Sequence, residues 1–333
     1  MSLFRRTRMK VTIQDIANMV GVSKSTVSRY LNGGYVSSEN TEKIKEAIEK
    51  TGFETNFFAK RLKSKKSKLI GIIVPRIDSF TAGKTLNGIN RKLEEHGYQG
   101  IILTSELNRE KELEQINKLY NQGVDGIIIM SFEVAKEHVK LANKLPIPVL
   151  FSGQRNEYVN HIALDDKKIG KTLGEYIKAQ GHKDIVYLGV SERDKAVGLD
   201  RKLGFLEVFK GEEYNINFVE TDFSFNKAYE LGADVLKYNP SVVICSTDNI
   251  ALGLMRALFE SGKRIPEDIS IGSFGGYDVG AITYPSLTTV KIDYNLFGEE
   301  MAHEILSLIN GEEVTNTCEI PLELIIRESV KKV

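Results

Sequence analysis

The chain has 333 residues, 41% hydrophobic and 27% charged, with 45 basic and 45 acidic side chains and two cysteines. No apolar run approaches the about 18 residues of a membrane-spanning helix and nothing reads as a signal peptide, so a cytoplasmic protein without a membrane partner is expected. Cys245 and Cys318 are too few for a disulfide framework or a zinc site. The zero net charge conceals a split: residues 1–68 carry 15 Lys and Arg against 6 Asp and Glu, whereas the rest carries 30 against 39. Such an asymmetry points to a basic module for a polyanion joined to an acidic body.

Met1-Ser2-Leu3 reads as an expression remnant, with Met9 as an alternative start, so the first module is taken as 9–54. In "VTIQDIANMVGVSKSTVSRYLNG" (11–33) small hydroxyls crowd a helical pattern, as caps, a phosphate cradle or a grip on a nucleic-acid backbone. Thr12-Ile13-Gln14-Asp15 has the form of a capping box; Ile13, Ile16, Ala17 and Val20 share one face, and Gly21 stops the helix. A second helix is expected from Ser23, with Val22 and Val27 as a hydrophobic staple. Val27 and Leu31 point inward, while Lys24, Ser25, Ser28, Arg29 and Asn32 point outward. A third runs from about Ser38 to Thr51 over Ile44, Ala47 and Ile48 and ends at Gly52. Two short helices joined through a glycine form a helix-turn-helix. The second would enter a major groove, its hydroxyls facing phosphate oxygens and Lys24 and Arg29 long enough to read guanine.

In "GFETNFFAKRLKSKKSK" (52–68), Asn56 would cap a short helix carrying Phe57, Phe58, Ala59, Lys60, Arg61 and Leu62. Too short to hold alone in water, it suits folding on DNA and wedging a minor-groove step. These residues, with "TEKIKEAIEK" and the following "LIGIIVP", resemble the LacI/GalR family of transcription regulators along essentially the whole chain, most specifically in the first 75 residues. The resemblance implies that Lys24, Ser25 and Arg29 read bases. It makes Thr12, Ser23, Thr26, Ser28 and Asn32 phosphate contacts, and Leu62 the minor-groove wedge in a hinge of 55–68 that also holds Asn56 and Ala59. Thr55 departs from the family pattern, which has Pro there; the hinge loses a fixed φ.

From Leu69 the period changes. "LIGIIVP", "GIILTS", "DGIIIM", "IPVLFSG", "IVYLGV", "SVVICST" and "ISIGSF" are continuous apolar runs, the mark of strands buried on both faces. Helical patterns at 83–96, 109–122, 167–180 and 250–262 alternate with them, so 69–333 is expected to be α/β with two doubly wound parallel-sheet lobes. The family resemblance implies a two-lobed receptor like the periplasmic binding proteins. Its chain crosses near 164, 293 and 323, giving one lobe of 69–164 and 294–323 and another of 165–293 and 324–333.

An enzyme is not expected. Gly83-Lys84-Thr85 imitates the end of a P-loop, but Asp78 stands where the required earlier glycine belongs. No Gly-x-Gly-x-x-Gly opens a helix, and the five histidines are scattered, so neither cofactor nor metal is expected.

Ligands of doubly wound sheets sit at the carboxyl ends of strands. There lie Arg76, Asp78 and Phe80 in "PRIDSF", Arg155 in "SGQR", then Arg201, Phe223, Asp248 and Tyr294. Carboxylates and guanidiniums suit sugar hydroxyls, and aromatic rings suit the apolar sugar face. By resemblance, Arg201 and Asp248 are the hydroxyl ligands and Phe223 and Tyr294 the stacking positions. "PRIDSF" with "GSFGGYD" (272–278) looks like the family branch that governs sucrose or trehalose use, some of which sense a phosphorylated disaccharide such as sucrose 6-phosphate or trehalose 6-phosphate. Arg76 and Arg155 suit a phosphate dianion. Gly275 and Gly276 replace two acids of the usual motif, a change in the same direction. The expected mechanism is a homodimeric repressor on double-stranded operator DNA, its recognition helices one turn apart on a palindrome, released when effector closes the cleft. The alternative is a global carbon-catabolite regulator controlled by a phosphorylated partner protein.

Overall fold

The computed structural model describes residues 11–31, 34–53, 66–131, 133–211, 213–313 and 316–333. Two compact units result, Met1–Ser67 and Lys68–Val333. Asn32 and the expected hinge helix with Asn56, Ala59 and Leu62 lie outside the described residues.

In the first unit α1 (Ile13–Val20), α2 (Lys24–Leu31) and α3 (Ser38–Thr51) enclose Ile16, Ala17, Val27, Ile44, Ala47 and Phe53. The capping box forms: Thr12 Oγ1 accepts the Asp15 N–H at 3.3 Å, and the Asp15 carboxylate accepts the Thr12 N–H at 2.8 Å. Gly21 ends α1 in the left-handed region at φ 76°, where a β-carbon would be strained. That turn sets the angle between α1 and α2. Ser23 caps α2, its Oγ accepting the Thr26 N–H at 3.2 Å.

Among the described residues the second unit holds two six-stranded sheets. The first comprises β1 (Leu69–Val74), β2 (Gln99–Thr104), β3 (Gly126–Met130), β4 (Val149–Ser152), β5 (Asn160–Leu164) and β11 (Thr317–Cys318), in the order β11-β5-β4-β3-β1-β2. The second comprises β6 (Asp184–Val190), β7 (Asn215–Thr221), β8 (Val242–Cys245), β9 (Ser270–Gly275), β10 (Thr288–Ile292) and β12 (Leu322–Ile325), in the order β12-β10-β9-β8-β6-β7. All neighbours are parallel except β10 and β12. The helices α4 (Phe80–Glu95), α5 (Arg109–Asn121), α6 (Lys136–Ala142), α7 (Asp166–Ala179), α8 (Arg201–Glu207), α9 (Phe225–Glu230), α10 (Gly232–Leu236), α11 (Asp248–Glu260) and α12 (Tyr294–Asn310) cover both faces. Apolar runs buried on both sides follow, as at β1, where all six residues are buried.

Three expectations change. β2 lies at a sheet edge, so "GIILTS" is partly exposed rather than buried. Five strands, β5, β7, β10, β11 and β12, escape the apolar-run criterion, being short or mixed with polar residues. The third crossing falls between Cys318 and Leu322, slightly before the expected 323, because β12 already belongs to the second sheet.

In each sheet the order reverses beside the first strand of that sheet, between β1 and β3 and between β6 and β8. These switch points open a crevice at the carboxyl ends. α7 and α8 cross closely there: a β-carbon on Gly170 would overlap the Arg201 carbonyl oxygen, and one on Gly204 would overlap that of Lys167.

Hydrogen bonds from Thr12 hold the Asp15 carboxyl below its ordinary value of 3.8. A carboxyl lowered in the folded state stabilises it above the unfolded value and ceases to do so as pH falls through the lower folded one. Asp15→Asn is therefore expected to accelerate amide exchange of α1 in the full chain at neutral pH. The difference from wild type should close as pH drops below 3.8. An unchanged difference at low pH would show that the box acts by shape and not by charge.

Candidate functional site

α2 offers a polar face at its amino end. Ser23, Lys24, Ser25 and Arg29 are exposed, and Thr26 and Ser28 half-buried. The Ser23 hydroxyl lies 2.7 Å from that of Ser25 and 2.8 Å from that of Thr26, so these side chains form one cluster over the helix start. α1 and α3 each place an acid in the first turn, Asp15 and Glu39, whereas α2 has none there. Its positive end is left uncompensated beside Lys24, an arrangement suited to a phosphate oxygen. Thr12 is exposed and bound to Asp15.

Between the two sheets lies a cavity of about 570 Å³, within the ligand-sized range of ~300–1,000 Å³. Of the sequence candidates, Arg76, Asp78, Phe80, Arg201, Phe223 and Tyr294 line it, and Arg155 and Asp248 do not. Exposed Arg155 donates from Nη2 to the Leu164 carbonyl at 3.2 Å. Asp248 is wholly buried: its carboxylate accepts Ser273 Oγ, Thr289 Oγ1 and the Tyr277 N–H, each at 2.6 Å. Burial pushes that carboxyl up while the Ser273 and Thr289 hydroxyls pull it back. Asp248 thus pins the Gly276-Tyr277 turn, and its neighbours Thr247 and Asn249 reach the cavity wall instead.

Arg201, 3% exposed, lines the deep side of the cavity. Its Nε and Nη2 donate to Asp166 Oδ1 at 3.0 and 2.6 Å, its Nη1 donates to the Ser246 carbonyl at 3.0 Å, and its guanidinium lies 5.3 Å from the Phe274 ring centre. Burial works against the charge, but Asp166, with Tyr294 and Tyr187, more than offsets it and holds Arg201 above its ordinary value. Beside it, desolvation pushes the Tyr294 hydroxyl up to about 12 against the opposing pull of Arg201. On the first sheet's side Arg76 meets Asp78 in a two-toothed pair, Nε to Oδ1 and Nη2 to Oδ2, both at 2.9 Å. Arg76 is half-buried and Asp78 exposed, and both line the cavity.

Contacts close across the cavity. Phe80 from the first sheet's side packs on Tyr277 of the other at 4.1 Å between ring centres. Lys84 reaches Asp278 at 3.3 Å, and Gln154 Nε2 donates to Asp194 Oδ1 at 3.3 Å. Burial pushes the Asp194 carboxyl up; the Val197 N–H opposes it. Sequence reasoning missed Asp166, Tyr277, Gln154, Asp194 and Thr221, all at the wall. Only Asp166 carried a usable sign, an acid at the first position of a helix directly after a strand.

The chain matches the family model for periplasmic binding proteins and the sugar binding domain of the LacI family over residues 67–328. It matches the model for bacterial regulatory proteins of the lacI family over 12–56. It is 31% identical to the sucrose operon repressor of Staphylococcus xylosus, covering 93% of this chain and 98% of that one. Identity to catabolite control protein A of Priestia megaterium is 28%, covering 97% and 100%. The fold is shared with the lac repressor dimer bound to operator and the anti-inducer ONPF, at a TM-score of 0.88 and 24% identity, covering 97% and 100%. Among the described residues, no helix is long and apolar enough to cross a membrane.

Removing one member of a buried ion pair strands the other, at about 3–5 kcal/mol. Asp166→Asn is expected to lower stability by that order in urea unfolding, and a loss under 1 kcal/mol would show that Arg201 finds another partner.

Proposed function

The chain belongs to the lacI family of bacterial regulatory proteins, and we propose that it represses a sugar-utilisation operon. It binds a palindromic operator as a dimer and leaves it when a phosphorylated disaccharide closes the cleft. The observation that carries this reading is one chain holding both a basic, acid-free recognition helix and a ligand-sized cavity lined by aromatic rings and arginines. The likeness to a sucrose operon repressor and the sugar binding domain matched by the body support a sugar as effector.

In this reading Lys24, Ser25 and Arg29 meet base edges, and Thr12, Ser23, Thr26 and Ser28 meet phosphates. A sugar ring stacks on Phe223 and Tyr294 above Arg201, and its phosphate faces Arg76. That phosphate must compete with Asp78 for the guanidinium, so Asp78 tunes the preference and does not bind sugar. Arg155 and Asp248 act behind the wall. The glycines at 275 and 276 have φ of 139° and 72°, so conformation alone accounts for the missing acids, and the argument for an anion rests on Arg76. Closure works through the contacts that bridge the cavity, at a coupling of about 1–3 kcal/mol.

Thermal shift with sucrose, trehalose and their 6-phosphates tests the effector. The phosphorylated forms are expected to stabilise more; Arg76→Ala abolishes the preference and Asp78→Asn enlarges it. A shift with a phosphorylated partner protein and none with any sugar would establish instead a global regulator, the reading that the likeness to catabolite control protein A supports. For DNA, Arg29→Ala is expected to cost about 1–3 kcal/mol in operator binding and relax one base-pair preference, with sugar binding unchanged. Equal loss on operator and random DNA would make Arg29 a phosphate contact.

A further inference from the structure

A second cavity of about 320 Å³ adjoins the first and shares Leu107 and Ser131 with it. Its wall is built where β3 ends and α5 and α6 begin, and the loop after β6 in the other sheet completes it. Arg109, the first residue of α5, and Arg193, from the second sheet's side, converge on one carboxylate oxygen, Glu133 Oε2, at 3.3 and 2.8 Å. Behind them Ser131 Oγ donates to Glu112 Oε1 at 2.6 Å, with both residues buried. His138 is 1% exposed. Its Nδ1 accepts the Ala135 N–H at 3.1 Å, which in the neutral ring leaves the proton on Nε2. That Nε2 lies 3.2 Å from Glu112 Oε1, so the buried imidazole and the buried carboxylate face each other at the cavity wall.

The charge balance decides which ligand fits. The lining holds two guanidiniums against three carboxylates, with Glu110 as the third. An added phosphate would meet net negative charge. A neutral ring bearing hydroxyls, each both donor and acceptor, matches alternating guanidinium, carboxylate and imidazole groups. We propose that this cavity is a subsite for the second sugar ring of the effector, held by Glu133, Arg109, Arg193 and His138. The assignment rests on the sugar reading of the main cavity. Arg193 comes from one sheet's side and Arg109 and Glu133 from the other, so the bound ring ties the two sheets together.

The test is calorimetric titration of the full chain with sucrose 6-phosphate and trehalose 6-phosphate as two-ring probes and glucose 6-phosphate as the one-ring probe. Glu133→Gln keeps the shape of the side chain, and Arg193 is 65% exposed, so both variants should fold. Glu133→Gln and Arg193→Ala are expected to weaken the better two-ring probe roughly tenfold, the loss of one charged hydrogen bond, and to leave the one-ring probe unchanged. Equal weakening of both probes, or of neither, overturns the subsite alone. Binding of inorganic phosphate that Arg193→Ala abolishes makes it an anion site and also overturns it. Absence of heat with every sugar in the wild type overturns the sugar reading itself, and the subsite with it.

Discussion

The Arg201–Asp166 pair is the contact on which the receptor body depends. Asp166 opens α7 just after β5, where the chain first leaves the first sheet, and Arg201 opens α8 after β6. The guanidinium also takes the Ser246 carbonyl at the end of β8 and lies over Phe274 of β9. One side chain therefore joins the crossover helix to two strands of the second sheet, β8 and β9, and does so at the cavity floor. A charge this deep persists only with its partner in place, so the floor has a single arrangement. Gly170 and Gly204 serve the same end, since only their missing β-carbons let α7 and α8 approach closely enough for the pair to form.

Above that floor the walls are less constrained. The contacts across the cavity are a buried hydrogen bond to a carboxylate, a ring pair and exposed ion pairs, each worth on the order of 3 kcal/mol or less. The division fits a receptor whose floor stays intact while its two sides part. Asp248 adds to the rigid side: by accepting three donors it fixes the turn that brings Tyr277 to Phe80.

How far the sequence was legible followed the range of the forces involved. The three described helices of the first unit were legible to within a residue because caps and glycine stops act over four residues, as at Thr12–Asp15 and Gly21. Seven strands were found because burial on both faces leaves a continuous apolar run. β7, as "NINFVET", alternates with polar residues at a sheet edge, and β11 has only two residues; neither leaves such a run. At the cavity, position in the chain was readable and direction was not. Arg155 and Asp248 do stand near strand ends, but Asp248 turns inward because Ser273 and Thr289, on strands far along the chain, offer hydroxyls there. Asp194 and Gln154 meet only through the docking of two sheets, which no local pattern records.

The interleaving of the chain has a consequence for the order of events during synthesis. The strands β11 and β12 follow α12, yet each belongs to a different sheet and completes its edge. Ser329 then bonds to Ile271 and Thr288, and the Val333 N–H to the Gln180 carbonyl, so residues 329–333 stitch together segments made much earlier. Neither sheet is whole until residues 317–325 have been made, and such distant pairings form slowly. The helical unit, closed by contacts among residues 11–53, needs none of them. A nascent chain thus acquires the surface suited to DNA well before it has a cleft that could answer to a ligand.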